Sequence, residues 1–175
     1  MYIAFLRAIN VGGHNIKMDV LKTIFESLNL EHVETFIASG NVIFESEKPR
    51  ETLELQIETE LEKALGYEVK TFLRTQAELA EITAFKPFSD SSLENANTFN
   101  IGFLKEPLSP ESLAKLEGLK TEFDEFQVNN LEFYWLSRQS QAESKLNNAV
   151  FEKKLGVRLT FRGMSTIQKL NAKYP

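Results

Sequence analysis

Cysteine is absent from this chain, and that one absence removes disulfides, thiolate nucleophiles, zinc ribbons and iron–sulfur clusters together. Histidine is scarce, with only His14 and His32. No His/Asp/Glu spacing therefore suggests a metal site, and the acid–base inventory for catalysis is thin. No Gly-x-Ser-x-Gly nucleophile elbow occurs. Long apolar runs are missing too. The opening Met1-Tyr-Ile-Ala-Phe-Leu-Arg7 meets a charge where a signal peptide would continue, and no segment approaches the ~20 apolar residues of a membrane span. A cytoplasmic location is the expectation. A positive excess is also lacking: 20 Lys and Arg face 25 Asp and Glu, a net charge of −5. That balance disfavours generic binding to nucleic acid or to an anionic membrane.

What is present is a foldable chain of 175 residues with 42% hydrophobic content, enough for one domain or two small ones. The acidic excess lies in residues 1–90, which carry net −6, whereas residues 91–175 carry +1. Glu51, Glu54, Glu58 and Glu62 are expected on a solvated helix face.

Hydrophobic periodicity divides the chain into elements. Tyr2–Leu6 reads as a strand covered on both faces, central in its sheet. Met18–Leu28 places Leu21, Ile24, Phe25 and Leu28 on one helical face. Val33–Ile37 and Val42–Ser46 form a hairpin around Ser39-Gly40-Asn41, residues that suit a turn. Pro49 opens a helix with Leu53, Ile57, Leu61 and Leu65 on one stripe, and Gly66 fits its C-terminal cap. Val69–Leu73 is a strand and Gln76–Phe85 a helix. After a polar stretch from Pro87 to Asn97 the order repeats. Strands are expected at Thr98–Leu104, Phe126–Val128, Leu131–Leu136 and Val157–Phe161. Helices are expected at Pro110–Lys120, Lys145–Leu155 and Thr166–Ala172, with Asn129-Asn130 as the hairpin turn. The endings match as well, Leu65-Gly66 leading to Val69–Arg74 and Leu155-Gly156 leading to Val157–Arg162, each followed by a helix.

This order predicts an α+β fold of two tandem ferredoxin-like (split βαβ) units, each with an appended C-terminal helix. The expected boundaries are 1–86 for the first unit, 87–97 for a linker and 98–175 for the second. In that topology the loop after strand 1 and the turn between strands 2 and 3 share one end of the sheet, with Gly66-Tyr67 beside them. The shared end gathers Arg7, Asn10, Gly12, Gly13, His14, Asn15, Lys17, Ser39, Gly40 and Asn41. No carboxylate occurs from Arg7 to Lys17. Such a donor-rich set suits a phosphate or carboxylate near a helix N-terminus. The loop lacks the glycine spacing of a dinucleotide-binding fingerprint and of a Walker A motif, so neither cofactor is inferred. Turn geometry and self-capping are the competing structural uses of the same residues. Phe133, Tyr134 and Trp135 alternate along one strand, so one face must be covered by a second layer or left to stack on a partner; packing is the expected use.

Leu6-Arg-Ala-Ile-Asn-Val-Gly-Gly13, Met18-Asp-Val-Leu21, Val33-Glu-Thr-Phe-Ile-Ala-Ser-Gly-Asn-Val-Ile-Phe44, Pro87-Phe88 and Ser144-Lys-Leu146 resemble the bacterial family known as domain of unknown function 1697. The resemblance implies a cytoplasmic α+β protein and no particular reaction. One departure stands out: where the family usually shows Arg-Asn-Trp-Asn-Thr, this chain has Arg162-Gly-Met-Ser-Thr166. Three functions compete. The first is a binding module for a small anionic ligand or a nucleotide at the loop after strand 1. The second is an enzyme acting on such a ligand, with His14 as acid or base. The third is a structural or protein-interaction role without a small-molecule site.

Overall fold

The computed structural model describes residues 1–10, 12–37 and 40–175. The chain forms two compact units, Met1–Leu79 with Tyr174–Pro175, and Ala80–Lys173. The first contains β1 (Tyr2–Leu6), α1 (Met18–Glu26), β2 (Glu31–Phe36), β3 (Asn41–Glu45), α2 (Arg50–Leu65) and β4 (Thr71–Thr75). Helix α3 (Gln76–Ala84) follows β4 and runs across the division. The second unit continues with α4 (Asp90–Glu94), β5 (Thr98–Phe103), α5 (Pro110–Glu117), β6 (Asp124–Asn129), β7 (Glu132–Ser137), α6 (Asn148–Leu155), β8 (Thr160–Gly163) and α7 (Met164–Lys173).

The two sheets have the same order, β2-β3-β1-β4 and β6-β7-β5-β8, with every neighbouring pair antiparallel. This is the split-βαβ arrangement in tandem, as the order of elements predicts. Strand β1 lies inside its sheet, and its residues Ile3 to Leu6 are buried. The helix-facing core of the first unit joins Ala4, Leu6, Val42, Phe44 and Leu73 to Leu21, Phe25, Leu53, Ile57 and Leu61. The second core is more aromatic, with Phe126, Phe133, Trp135 and Phe151 at its centre. Full burial of such side chains stabilises by about 1.5–3 kcal/mol each relative to exposure.

The matching endings of the two halves have a structural counterpart. Gly66 and Gly156 both cap their helices in the left-handed region, at φ 79° and 68°, where a Cβ would be strained. Arg74 pairs with Ile3 and Arg162 with Ile101, so two buried arginines occupy the same register in the two sheets. Burial pushes the Arg162 guanidinium down to about 10. It still carries its proton at neutral pH and donates to the Phe161 carbonyl (2.7 Å) and to Thr160 Oγ1 (3.0 Å).

Strand β4 starts at Thr71 rather than at Val69, because pairing begins where β1 ends, with Leu6 opposite Thr71. Val69 is buried without being paired, and periodicity reports burial rather than pairing. The acidic face of α2 also departs from expectation. Glu58 Oε1 accepts the Thr71 amide at 2.9 Å and Glu54 Oε1 the Leu73 amide at 3.0 Å, while Glu78 Oε2 of α3 accepts the Thr75 amide at 2.7 Å. β4 is an edge strand, and these alternate amides are the ones it turns away from β1. Glu54 is accordingly buried instead of solvated.

The stretch from Pro87 to Asn97 carries α4, capped by Ser89 Oγ accepting the Ser92 amide. The β6–β7 turn falls on Asn130-Leu131, one residue later than Asn129-Asn130, because Asn129 is paired with Glu132. Every residue of β7 is buried. Tyr134 is covered within its own unit by Phe85 and Phe99, so β7 offers no exposed platform for a nucleobase.

Candidate functional site

β1 ends against the start of β3, with Phe5 opposite Asn41 and the Leu6 amide donating to the Gly40 carbonyl at 2.9 Å. The loop after β1 and the β2–β3 turn therefore share one end of the sheet, as the topology requires. The end of α2 joins them. The Arg7 amide donates to the Lys70 carbonyl at 2.8 Å, and the Tyr67 hydroxyl donates to the Ile9 carbonyl at 3.0 Å.

The loop is braced from inside. Asn10 Oδ1 accepts the Ile16 amide at 2.9 Å, closing the loop on itself. Ile9 and Ile16 anchor it in the core. Gly40 is buried at φ 72°, and a Cβ there would lie 2.6 Å from Ile9 Cγ2 and 3.2 Å from Leu6 Cβ. Glycine at this position permits both the left-handed turn and the close approach of the loop. Asn41 is fully buried and its amide donates to the Phe36 carbonyl at 3.1 Å, within the turn. The Asn10 and Asn41 side chains thus hold the architecture of this sheet end. Ser39 lies outside the described residues.

Gly12, Gly13, His14, Asn15 and Lys17 form the exposed crest, and Arg7 is half-buried at its base. Gly12 and Gly13 have φ 65° and 88°, and nothing lies within 4 Å of where their Cβ atoms would be. Their need is conformational, and the space over their backbone is open. Among the described residues, none accepts a hydrogen bond from either glycine amide. The His14 ring stacks on Tyr67 with centroids 3.8 Å apart and planes 22° from parallel. Burial pushes the Tyr67 phenol upward, which keeps it a neutral donor to Ile9. The loop delivers the chain to α1 at Lys17, an N-cap residue that makes no side-chain cap. The first turn of α1 thus begins without a side-chain cap from Lys17. Asn15 does not cap this helix.

Nearby, Lys70 is neutralised by Glu58 and Glu68, at 3.2 and 3.4 Å. Burial opposes its charge, but the two carboxylates outweigh that cost and raise its pKa. Elsewhere in the unit the pairing of β2 with β3 brings Glu31, His32 and Glu45 together, all exposed, with ligand-type atoms within 4.8 Å of one another. Spacing along the chain could not reveal this group, since Glu45 belongs to the neighbouring strand. The 3.2 Å contact between His32 Nδ1 and Glu45 accounts for it as a surface pair.

The chain is thus a tandem ferredoxin-like α+β protein with an open, carboxylate-free loop at one end of its first sheet. It belongs to the family described as Protein of unknown function (DUF1697), whose profile matches residues 1–134. The match ends within β7, so Gly163-Met164-Ser165 lie beyond it. Among solved structures the fold is similar to that of the conserved bacterial protein SP0830 from Streptococcus pneumoniae. That likeness has a TM-score of 0.76 at 24% identity and covers 98% of this chain and 96% of that one. At this identity the likeness speaks for the fold alone. No curated protein matches the chain. Among the described residues, no helix is long and apolar enough to cross a membrane.

Proposed function

We propose that this protein is a cytoplasmic binding module that holds a small anionic ligand on the loop between β1 and α1. The observation that carries the reading is the open crest of that loop. It exposes the Gly12 and Gly13 backbone beside His14 and Lys17, contains no carboxylate from Arg7 to Lys17, and runs into an uncapped helix N-terminus. An anion there gains from the helix terminus, typically by about 0.3–1 kcal/mol, and from charge-assisted hydrogen bonds to backbone amides and cations. The brace of Asn10, Tyr67 and Gly40 supports the reading from beneath, because a preformed loop loses little entropy on binding. A chain of net charge −5 with a short cationic crest favours a small anion over a polyanion.

The test is a titration of the full chain with inorganic phosphate and with acetate, followed by amide NMR. The expected result is saturable movement of the Gly12 and Gly13 resonances by at least one of the two anions. Replacing the exposed pair with His14→Ala and Lys17→Ala should weaken that binding by about tenfold while leaving the melting temperature in place. Stationary glycine resonances with both anions would overturn the reading.

A further inference from the structure

The second unit contains a cavity of about 440 Å³ that the loop site does not use. Its apolar wall is made by Phe85, Leu93, Phe99 and Met164, and Lys86 and Ser165 stand at its polar side. No aspartate or glutamate lines it among the described residues. Phe85 and Leu93 are 37% and 36% exposed, so two large apolar side chains face the opening in place of solvent-tolerant ones.

The aromatic wall is fixed from behind. Phe85 leans on Tyr134 with ring centroids 5.0 Å apart, and Phe99 meets the edge of Phe88 at 5.6 Å. Asn171 Nδ2 donates to Oγ1 of Thr83, a lining residue, at 3.1 Å, tying α7 to the end of α3. Helix α7 starts at Met164 and has no acidic residue in its first turn, so its N-terminal amides and the Lys86 ammonium place positive potential on the same side. A volume of this size lies in the range of small-molecule sites, and an apolar wall with a few polar groups at one end is their usual composition.

We propose that this cavity is a second binding site, which takes a small amphiphilic anion: an aromatic ring carrying one carboxylate. The ring lies against Phe85 and Phe99 in the offset or edge-on geometry such rings prefer, and the carboxylate reaches Lys86 and the first turn of α7. The complementarity of charge selects an acid, and the aromatic wall selects a flat apolar body over a sugar or a peptide.

Methionine gives a direct readout, because the chain has three, and Met18 opens α1 beside the loop site whereas Met164 lines this cavity. The full chain, labelled at the methionine methyl groups, would be titrated with 1-naphthylacetate and with its neutral amide. The expected result is a saturable shift of the Met164 methyl, independent of any shift at Met18, and an amide that binds about fivefold more weakly than the acid. Lys86→Ala, an exposed position, should weaken the acid about threefold and leave the amide unchanged. A stationary Met164 methyl would overturn the proposal. So would movement of Met18 in its place, or equal binding of acid and amide in a manner indifferent to Lys86.

Discussion

In the first unit the chain leaves β1 through residues 7–17, with two adjacent glycines, an exposed His14 and a helix entered at an uncapped Lys17. In the second it leaves β5 through residues 104–109, with no glycine, with Leu104 and Leu108 buried, and with Ser109 capping α5 by accepting the Ser112 amide. The position in the topology is the same and the chemistry is opposite. A capped, apolar connection has already satisfied its helix terminus and has little to offer a ligand. An open, glycine-containing one keeps its donors for something else. The comparison teaches that the split-βαβ frame puts a first loop at the same end of each sheet, and that local sequence decides whether the helix that follows is capped by a side chain or left uncapped.

The interiors differ in a complementary way. Ala4 lies between Val42 and Leu73, and its counterpart Gly102 lies between Phe133 and Phe161. Larger neighbours in the second unit are accommodated by a smaller central residue, so the two cores reach close packing with different sets of side chains.

Three tests, at Gly40, Gly102 and Glu78, break or sharpen this comparison. The largest effect is expected from Gly40→Ala. The left-handed φ and the 2.6 Å approach to Ile9 Cγ2 act together, for a loss of about 2–4 kcal/mol in urea unfolding. The turn of the second unit is the control. Asn130 also has positive φ, at 55°, and Asn130→Gly should stay within about 0.5 kcal/mol of the parent. Equal effects at the two turns would mean that the loop does not lean on Gly40.

Next comes Gly102→Ala. A Cβ there would lie 2.8 Å from Phe133 Cδ1 and 2.9 Å from Phe161 Cε1, so the added methyl overpacks the core and should cost about 1–3 kcal/mol. Combining it with Phe133→Leu, which moves the site toward the Ala4–Val42–Leu73 arrangement, should show a favourable coupling in a double-mutant cycle. Strict additivity would dismiss the idea that the two cores exchange volume at this position.

The smallest effect concerns the edge of β4 and depends on pH. Burial pushes the Glu78 carboxyl upward, but the Arg50 guanidinium and the Thr75 amide outweigh it and hold the pKa below its usual 4.5. A carboxylate with a depressed folded-state pKa stabilises above its unfolded value, and that contribution disappears as pH falls through the folded value. Glu78→Gln should therefore cost about 1 kcal/mol near neutral pH and less as the medium becomes more acidic than pH 4.5. A cost that does not change across that window would assign Glu78 no electrostatic part in holding the edge.

Much of this architecture is legible in the sequence, for definite reasons. Strands β1, β3 and β7 carry apolar runs, the helices repeat at helical spacing, and Gly66 and Gly156 mark helix ends that require positive φ. Once the order of elements is known, the antiparallel sheet order follows, and with it the meeting of the first loop, the Gly40 turn and Tyr67. The missing part is of another kind. Glu54 and Glu58 read as surface residues because nothing along the chain shows that an edge strand lies within their reach. Asn10 and Asn41 read either as donors for a ligand or as caps of their own loop and turn, and the pattern along the chain does not choose between these uses; in the fold Asn10 closes the loop and Asn41 the turn. The stacking of His14 on Tyr67 joins residues from distant segments through a bend that local patterns do not encode. The cavity beside Met164 depends on where α3, α4 and α7 converge, which no periodicity specifies.

The central claim is that the open loop of the first unit holds a small anion, and the most direct measurement is native mass spectrometry of the full chain as purified, compared with its Lys17→Ala variant. The account predicts a retained or added small anion on the parent protein that is diminished in the variant at equal folded stability. A parent and a variant that bind the same anions equally, across inorganic phosphate and simple carboxylates, would contradict it.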